Sequence, residues 1–364
     1  MVDHSMDTEG QASNNEQGDK SGLQRRAPLI LLNVILMALG NTGGPLLVRL
    51  YFRCGGKRRW LSSWLGTAGW PVILLALFCS YLRCRLSGRH TELFFITPRL
   101  VLSCAAVGLL TGTDDFLYVY GLSFLPVSSS ALLVSTQLAF TALFSFLILK
   151  QRFTAYSINA VGLLTVGAAI LGLHVRSDRP ENETRKEYYV GFALTLAAAA
   201  LYGLILPLVE LMYAKAKQAI TYTLVLEMQL AIGIFASSFC MGGMLLNKDF
   251  QAIPEEAKEF GLGEMRYYLV LICSAVFWQF FFLGTVGVIF CVNTLLAGVL
   301  IAVFIPVTEL LGVVFLGERF SSEKGMALVL ALWGLASYSY GEYRQSEKEK
   351  EEKAALDHRN VQIA

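Results

Sequence analysis

The sequence predicts an all-α integral membrane protein of ten transmembrane helices arranged as two inverted five-helix repeats. Three observations predict it: a composition too apolar for water, a series of windows long enough to cross a bilayer, and a partial match between the two halves of the chain. Of the 364 residues, 55% are hydrophobic and only 16% charged, with a mean hydropathy of +0.53. Soluble domains carry about 25% charged residues. The net charge of +2 is too small for a nucleic-acid partner, and no stretch interleaves basic and aromatic residues as a single-strand binder would.

Residues 1–26 are polar, rich in Asn, Gln, Gly, Ser and Asp, and read as a disordered tail. They lack the early apolar core of a cleavable signal, so the first helix is expected to direct insertion. A spanning helix needs roughly 20 mostly apolar residues. Window 28–52 meets this and carries Pro45; window 60–82 opens on Trp60 and Trp64, placed as an interfacial belt, with Trp70 in mid-span. Window 99–121 holds the adjacent Asp114 and Asp115, 126–149 begins at Pro126, and 155–173 closes the first half. The second half runs through 189–213 with Pro207, 224–246, 267–292, 295–316 and 325–340. The longest connections, near 176–186 and 248–266, leave no room for a separate soluble domain. The chain therefore divides into the tail 1–26, a first repeat 27–174, a loop 175–188, a second repeat 189–342 and a charged, solvated tail 343–364. No Cys-x-x-Cys pair exists, which argues against a zinc or redox site, and neither metal nor cofactor is expected.

An offset of 167 carries the fourth and fifth windows onto the ninth and tenth. Thr141, Leu143, Leu149, Arg152, Phe153, Ala160, Leu163, Gly167 and Ala169 then land on Thr308, Leu310, Leu316, Arg319, Phe320, Ala327, Leu330, Gly334 and Ala336. Leu and Ala matches are cheap in apolar sequence; the Arg-Phe pair and the aligned glycine are not. Five spans per unit is odd, so the second copy enters the membrane upside down, the architecture of secondary transporters with a solute site near midplane. Pro45 and Pro207, each in the opening helix of its half, free a carbonyl at membrane depth. An even helix count puts both termini on one side, but basic residues divide almost equally between the two sets of loops and do not say which side.

A charge at the bilayer centre costs about 2.5–3.5 kcal/mol on insertion scales, so each needs a reason. The proton-coupling candidates are Asp114, Asp115, Glu210 and Glu309; burial disfavours the charged form, so such a group can take a proton on one side and release it on the other. Glu210 follows Pro207 and Glu309 follows Pro306, both beside freed backbone. Asp114 and Asp115 point about 100° apart on a helix, which suits different tasks. Glu227 shares the run Leu226-Glu227-Met228-Gln229 with an amide. Asn41, Gln137, Gln229, Gln279 and Asn293 offer donor and acceptor together, which suits the edge of a nitrogen heterocycle. Trp278 brings a stacking face beside Gln279, and Trp70 sits unusually next to Pro71. The substrate-binding set is thus Asn41, Trp70, Gln137, Glu227, Gln229, Trp278, Gln279 and Asn293.

Several runs resemble the plant purine permease family. They are Ser62-Ser63-Trp64-Leu65-Gly66-Thr67-Ala68-Gly69-Trp70-Pro71, Leu122-Ser123-Phe124-Leu125-Pro126-Val127-Ser128-Ser129-Ser130 and Gln137-Leu138-Ala139-Phe140-Thr141-Ala142. Further along are Trp278-Gln279-Phe280-Phe281-Phe282-Leu283-Gly284, Pro306-Val307-Thr308-Glu309 and the closing stretch from Leu332-Trp333-Gly334 to Glu342. The resemblance spans roughly 28–342. It implies the drug/metabolite transporter fold and proton-coupled uptake at the plasma membrane, with both termini in the cytosol. The implied partners are protons, membrane lipid and a heterocyclic substrate: adenine, cytokinins, and in some members caffeine, nicotine, pyridoxine or benzylisoquinoline alkaloids. The family offers no motif firm enough to transfer residue roles, so the site residues rest on the physical reading. The competing transporter reading is an exchanger of small organic or nucleotide-linked solutes in an endomembrane, but no mid-membrane Lys is present to meet phosphates. An enzyme is disfavoured because His4, His90, His174 and His358 all lie in tails, loops or at a helix end.

Overall fold

The computed structural model describes residues 5–86, 96–150, 155–173, 184–216, 221–291, 294–318 and 320–363. Among them every regular element is an α-helix: α1 (Ser5–Arg53), α2 (Arg59–Thr67), α3 (Pro71–Leu86), α4 (Pro98–Phe124), α5 (Val127–Val134), α6 (Gln137–Leu149) and α7 (Ala155–Leu173), then α8 (Arg185–Lys215), α9 (Tyr222–Leu246), α10 (Asp249–Glu259), α11 (Glu264–Cys291), α12 (Thr294–Leu316) and α13 (Ser322–Ile363). Seven stretches of the described residues are long and apolar enough to cross a membrane: Ala27–Arg53, Arg59–Cys79, Pro98–Phe124, Ser129–Leu149, Arg185–Lys215, Tyr222–Leu246 and Glu264–Cys291. The helical trace of α1 and α13 continues through the polar segments at both ends of the chain.

Two of the windows are interrupted helices. Pro71 has no N–H to donate, so the ladder of the second window breaks at 68–70 and restarts as α3. In the fourth window the break falls at Ser135-Thr136, whose hydroxyls donate at 2.6 Å to Leu132 O and Leu133 O. There Thr136 N–H bonds Leu133 O at 3.1 Å, a tightened i→i−3 turn, and the break sets Gln137 in the first turn of α6.

Without water between helices, close packing of small residues drives association. α1 and α11 run antiparallel in close contact, with Gly40 against the backbone of Phe277 and Phe281, and Gly284 against that of Asn33 and Met37. α4 lies antiparallel to α8, Gly121 meeting Gly191 and Thr195. α1 also packs on α12, as α8 does on α5 and α6. α2 packs on α9, and α7 on α13. In the last pair Gly167 lies against Ala327 and Leu330, while Gly334 lies against Ala160, Leu163 and Leu164.

One end of the bundle is capped by α10, which falls where the sequence reads only as a long connection. Glu256 on α10 accepts hydrogen bonds from the Tyr51 hydroxyl, from the Tyr267 hydroxyl at 3.2 Å and from Lys57 N–H at 3.2 Å, and pairs with Arg58 at 3.7 Å. Asp249 Oδ1 takes Asn247 at 2.7 Å and Arg58 at 3.4 Å. At the same end three arginines lace helix termini together. Arg49 donates to the α4 carbonyls of Leu122 (3.2 Å) and Ser123 (3.0 Å), and Arg53 donates to Leu316 O at the end of α12. Arg59 donates to Ser123 Oγ at 3.0 Å and lies 4.2 Å over the Tyr120 ring. Glu318 accepts from Val127 N–H at the start of α5 at 2.8 Å. Helix C-termini carry unpaired carbonyls and N-termini unpaired N–H groups, so Arg49, Arg53 and Glu318 sit where the backbone polarity favours their charge.

Candidate functional site

Between α1, α4, α5, α6, α8, α11 and α12 lies a half-open central cavity with about 680 Å³ of empty space. Its polar lining comes from Asn41, Asp114, Asp115, Tyr118, Gln137, Tyr202, Trp278 and Thr308. Phe281, Phe282, Ile301 and Ile305 supply apolar walls. A few convergent polar groups in a mostly apolar concavity is the usual make-up of a small-molecule site.

Each polar group is held by local structure. Asp114 and Asp115 follow Gly112, which lets α4 approach α9 closely: a Cβ there would come 2.9 Å from Phe239 and 3.0 Å from Ala236 O. Both carboxylates are buried, at 7% and 5% exposure, and each keeps one oxygen, Asp114 Oδ1 and Asp115 Oδ2, without a hydrogen-bond partner. Such an oxygen is costly unless a proton or an outside donor reaches it. Trp278, which lines the same cavity, also leaves its indole N–H unpartnered. Its ring is held edge-on by Tyr118 (5.7 Å, 82°) and Phe281 (5.9 Å, 86°), with Gly44 leaving room on one face. Gln137 is buried at the α5–α6 break. Asn41 donates to Ile301 O at 3.3 Å, and Thr308 donates to Phe304 O at 3.1 Å and to Asn41 O at 3.4 Å, which ties α1 to α12 along the cavity wall.

Of the residues singled out from the sequence, Asn41, Asp114, Asp115, Gln137 and Trp278 thus meet in one place. Gln229 does not line this cavity but a neighbouring chamber. Glu227 is buried and accepts Ile96 N–H at 3.0 Å, holding the chain that leads into α4. Gln279 packs on the α2–α3 break, its Oε1 and Cβ so near Gly69 that a Cβ there would come within 2.8 and 2.6 Å of them. Trp70 lies at the same break beside Gly233 and the Ile73–Leu226–Leu230–Leu283 cluster. Glu210 is half-buried on α8 and lines neither space. Asn293 and the side chain of Glu309 lie outside the described residues. Sequence reasoning passed over Tyr118, Tyr202 and Thr308 as site residues, while Phe281 and Phe282 belong to the aromatic run that it read as stacking faces beside Trp278. Tyr118 stands one helical turn from Asp114, so its spacing was available as a signal; Tyr202 had none.

A family model described as purine nucleobase transmembrane transport matches residues 28–348. The chain is 51% identical over 325 residues to purine permease 3 of Arabidopsis thaliana, covering 88% of this chain and 93% of that protein. It is 46% identical over 348 residues to purine permease 2 of the same plant, covering 92% and 97%. A crystal structure sharing 16% identity superposes with a TM-score of 0.51 over 85% of this chain and 95% of its own, a likeness of fold alone.

Proposed function

The chain belongs to the family of purine nucleobase transmembrane transporters, not to the enzymes, and on that premise we propose that it is a proton-coupled importer of purine-type heterocycles. Adenine and cytokinins are the substrates proposed, with the plasma membrane as location and both termini in the cytosol. The proposal includes ten spans in two inverted repeats, α7, α12 and α13 joining the seven apolar stretches. What supports the repeat is the exchange symmetry of the packing. Under an offset of 167, Gly167 against Ala327 and Leu330 becomes Gly334 against Ala160 and Leu163 with roles reversed. Likewise α1 on α11 and α12 exchanges with α8 on α4 and α5–α6, as two-fold related halves require.

The observation that carries the mechanism is that two buried carboxylates, each with an unpartnered oxygen, line the same half-open cavity as a tryptophan whose indole N–H is unpartnered. A heterocycle stacked among Trp278, Phe281 and Phe282 presents N–H groups to Asp114 or Asp115 and a ring nitrogen to the indole N–H. Gln137 and Asn41 read the remaining edge with amides that both donate and accept. One carboxylate takes the ligand's donors while the other takes the driving proton. Occupying both removes the cost of two bare oxygens, and that difference favours reopening on the opposite side. The laced end carrying α10 is the closed side in this structure; its Arg–carbonyl contacts must part for the cavity to open there.

The test is uptake of labelled adenine into vesicles with and without an inward proton gradient, for the unaltered protein, Asp114→Asn and Asp115→Asn. Gradient-driven uptake cut roughly 10- to 100-fold by either substitution fits the proposal. Uptake indifferent to the gradient but dependent on solute inside the vesicle makes the chain an exchanger instead.

A further inference from the structure

We propose that the heterocycle in transit occupies a second binding station, built around Gln229 and separated from the central cavity by Tyr202 and Phe282. This rests on the transport reading above and adds a site to it. Tyr202 and Phe282 line both the central cavity and a smaller chamber that includes Thr111, Gln229 and Thr285. Val107 lines that chamber and also a wide third cavity between α4 and α8, whose rim bears the exposed Thr97, Arg99 and Lys215. With about 390 Å³ of empty space against about 680 Å³, the chamber is the smaller neighbour of the central cavity, and shared lining residues place it between that cavity and the third.

The helices step through that series together. Along α4 the lining moves from Tyr118 and Asp114 back to Thr111, Val107 and Arg99. Along the antiparallel α8 it moves forward from Ala198 to Tyr202, Val209 and Lys215. Both steps lead away from the laced end and α10. Along α11 the lining advances from Trp278 to Thr285 and Ile289 in the same progression.

The chamber's chemistry differs from the cavity's. Gln229 is 7% exposed and its amide forms no hydrogen bond among the described residues. The Thr111 and Thr285 hydroxyls spend their protons on Val107 O (2.9 Å) and Phe281 O (2.8 Å), leaving only acceptor capacity. The described lining holds no carboxylate and no cation. One amide and two hydroxyl acceptors suit an uncharged heterocycle bearing both N–H donors and ring-nitrogen acceptors. A protonated ligand belongs upstream, beside Asp114 and Asp115. Tyr202 and Phe282 then form the partition that the ring must pass.

Purified protein in lipid nanodiscs and proteoliposomes provides the test, using Gln229→Leu, Gln229→Asn and Thr285→Cys. Gln229→Leu is expected to keep equilibrium adenine affinity within about twofold while slowing uptake about tenfold, the worth of one buried amide contact, with Gln229→Asn restoring part of the rate. Thr285→Cys is expected to react with a small neutral thiol reagent above the background of the seven native cysteines, and adenine is expected to slow that reaction. Unchanged uptake in Gln229→Leu overturns the proposal. So does a loss of affinity as deep as that of Asp114→Asn, because Gln229 would then belong to the central site. Inert Thr285→Cys overturns it as well. If the unaltered protein neither binds nor moves adenine, the transport reading fails instead, while thiol labelling still reports on the chamber without any substrate.

Discussion

Glu256 in the cap and the Asp114–Asp115 pair in the cavity are buried to a similar degree, 9% against 7% and 5% exposed, yet they live in opposite circumstances. Glu256 has two tyrosine hydroxyls, a backbone N–H and the Arg58 guanidinium around its two oxygens. Asp114 and Asp115 each leave an oxygen bare. Burial alone therefore does not mark a working carboxylate. Glu256, fully partnered, holds two segments together; Asp249 beside it also leaves Oδ2 bare, so what sets Asp114 and Asp115 apart is a bare oxygen on an acid that lines the cavity.

That contrast breaks first if the cavity acids are removed. Asp114→Asn or Asp115→Asn is expected to cut gradient-driven adenine uptake roughly 10- to 100-fold, the worth of a lost charge-assisted hydrogen bond. The same substitutions should flatten the pH dependence of uptake and leave the melting temperature unchanged or higher, because they replace a buried, incompletely partnered acid by a neutral amide. A fall in melting temperature with normal uptake would put these acids in the cap's category. Glu256→Gln should do the reverse. It loses about 1.5–3 kcal/mol of stability as a lower melting temperature, since two hydroxyls and a cation lose their anion, while adenine affinity stays within about twofold. Trp278→Phe keeps the stacking face and drops only the indole N–H. Equilibrium binding should weaken by about 0.5–1.5 kcal/mol, roughly two- to tenfold. Arg58→Gln is the smallest expected effect, under about 1 kcal/mol of stability, because the Arg58 side chain is 34% exposed and solvent screens its pairs.

Much of the fold was legible because hydropathy accumulates along the chain. The windows 99–121, 189–213 and 224–246 each fall within one helix with ends displaced by only a few residues, 267–291 falls within α11, and 28–52 falls within α1, which starts much earlier at Ser5. The breaks at 68–70 and 135–136 were less visible. Pro71 announces the first, but the second depends on Ser135 and Thr136 turning their hydroxyls onto carbonyls one turn back, which many serines and threonines do without breaking a helix. Helix α10 was read as connection because Asp249-Phe250-Gln251-Ala252-Ile253-Pro254-Glu255-Glu256 is too polar for a span. Its buried acids make sense only once Arg58 and Tyr51, some two hundred residues earlier, lie beneath them.

At the site the same division holds. Asp114, Asp115, Gln137, Trp278 and Asn41 stand out in sequence because polar groups in apolar runs are expensive, and the fold brings those five together. Glu227, Gln229, Gln279 and Trp70 stand out for the same reason and go elsewhere: to a backbone clamp, a second chamber and the α2–α3 break. The sequence by itself determined that the chain is a bundle of membrane-crossing helices and which side chains are costly to bury, because apolarity and charge are properties of each residue and its near neighbours. Only the tertiary structure decided which costly groups find partners and which face a cavity, because a hydrogen bond needs a donor within about 3 Å, and here that donor comes from a distant segment of the chain.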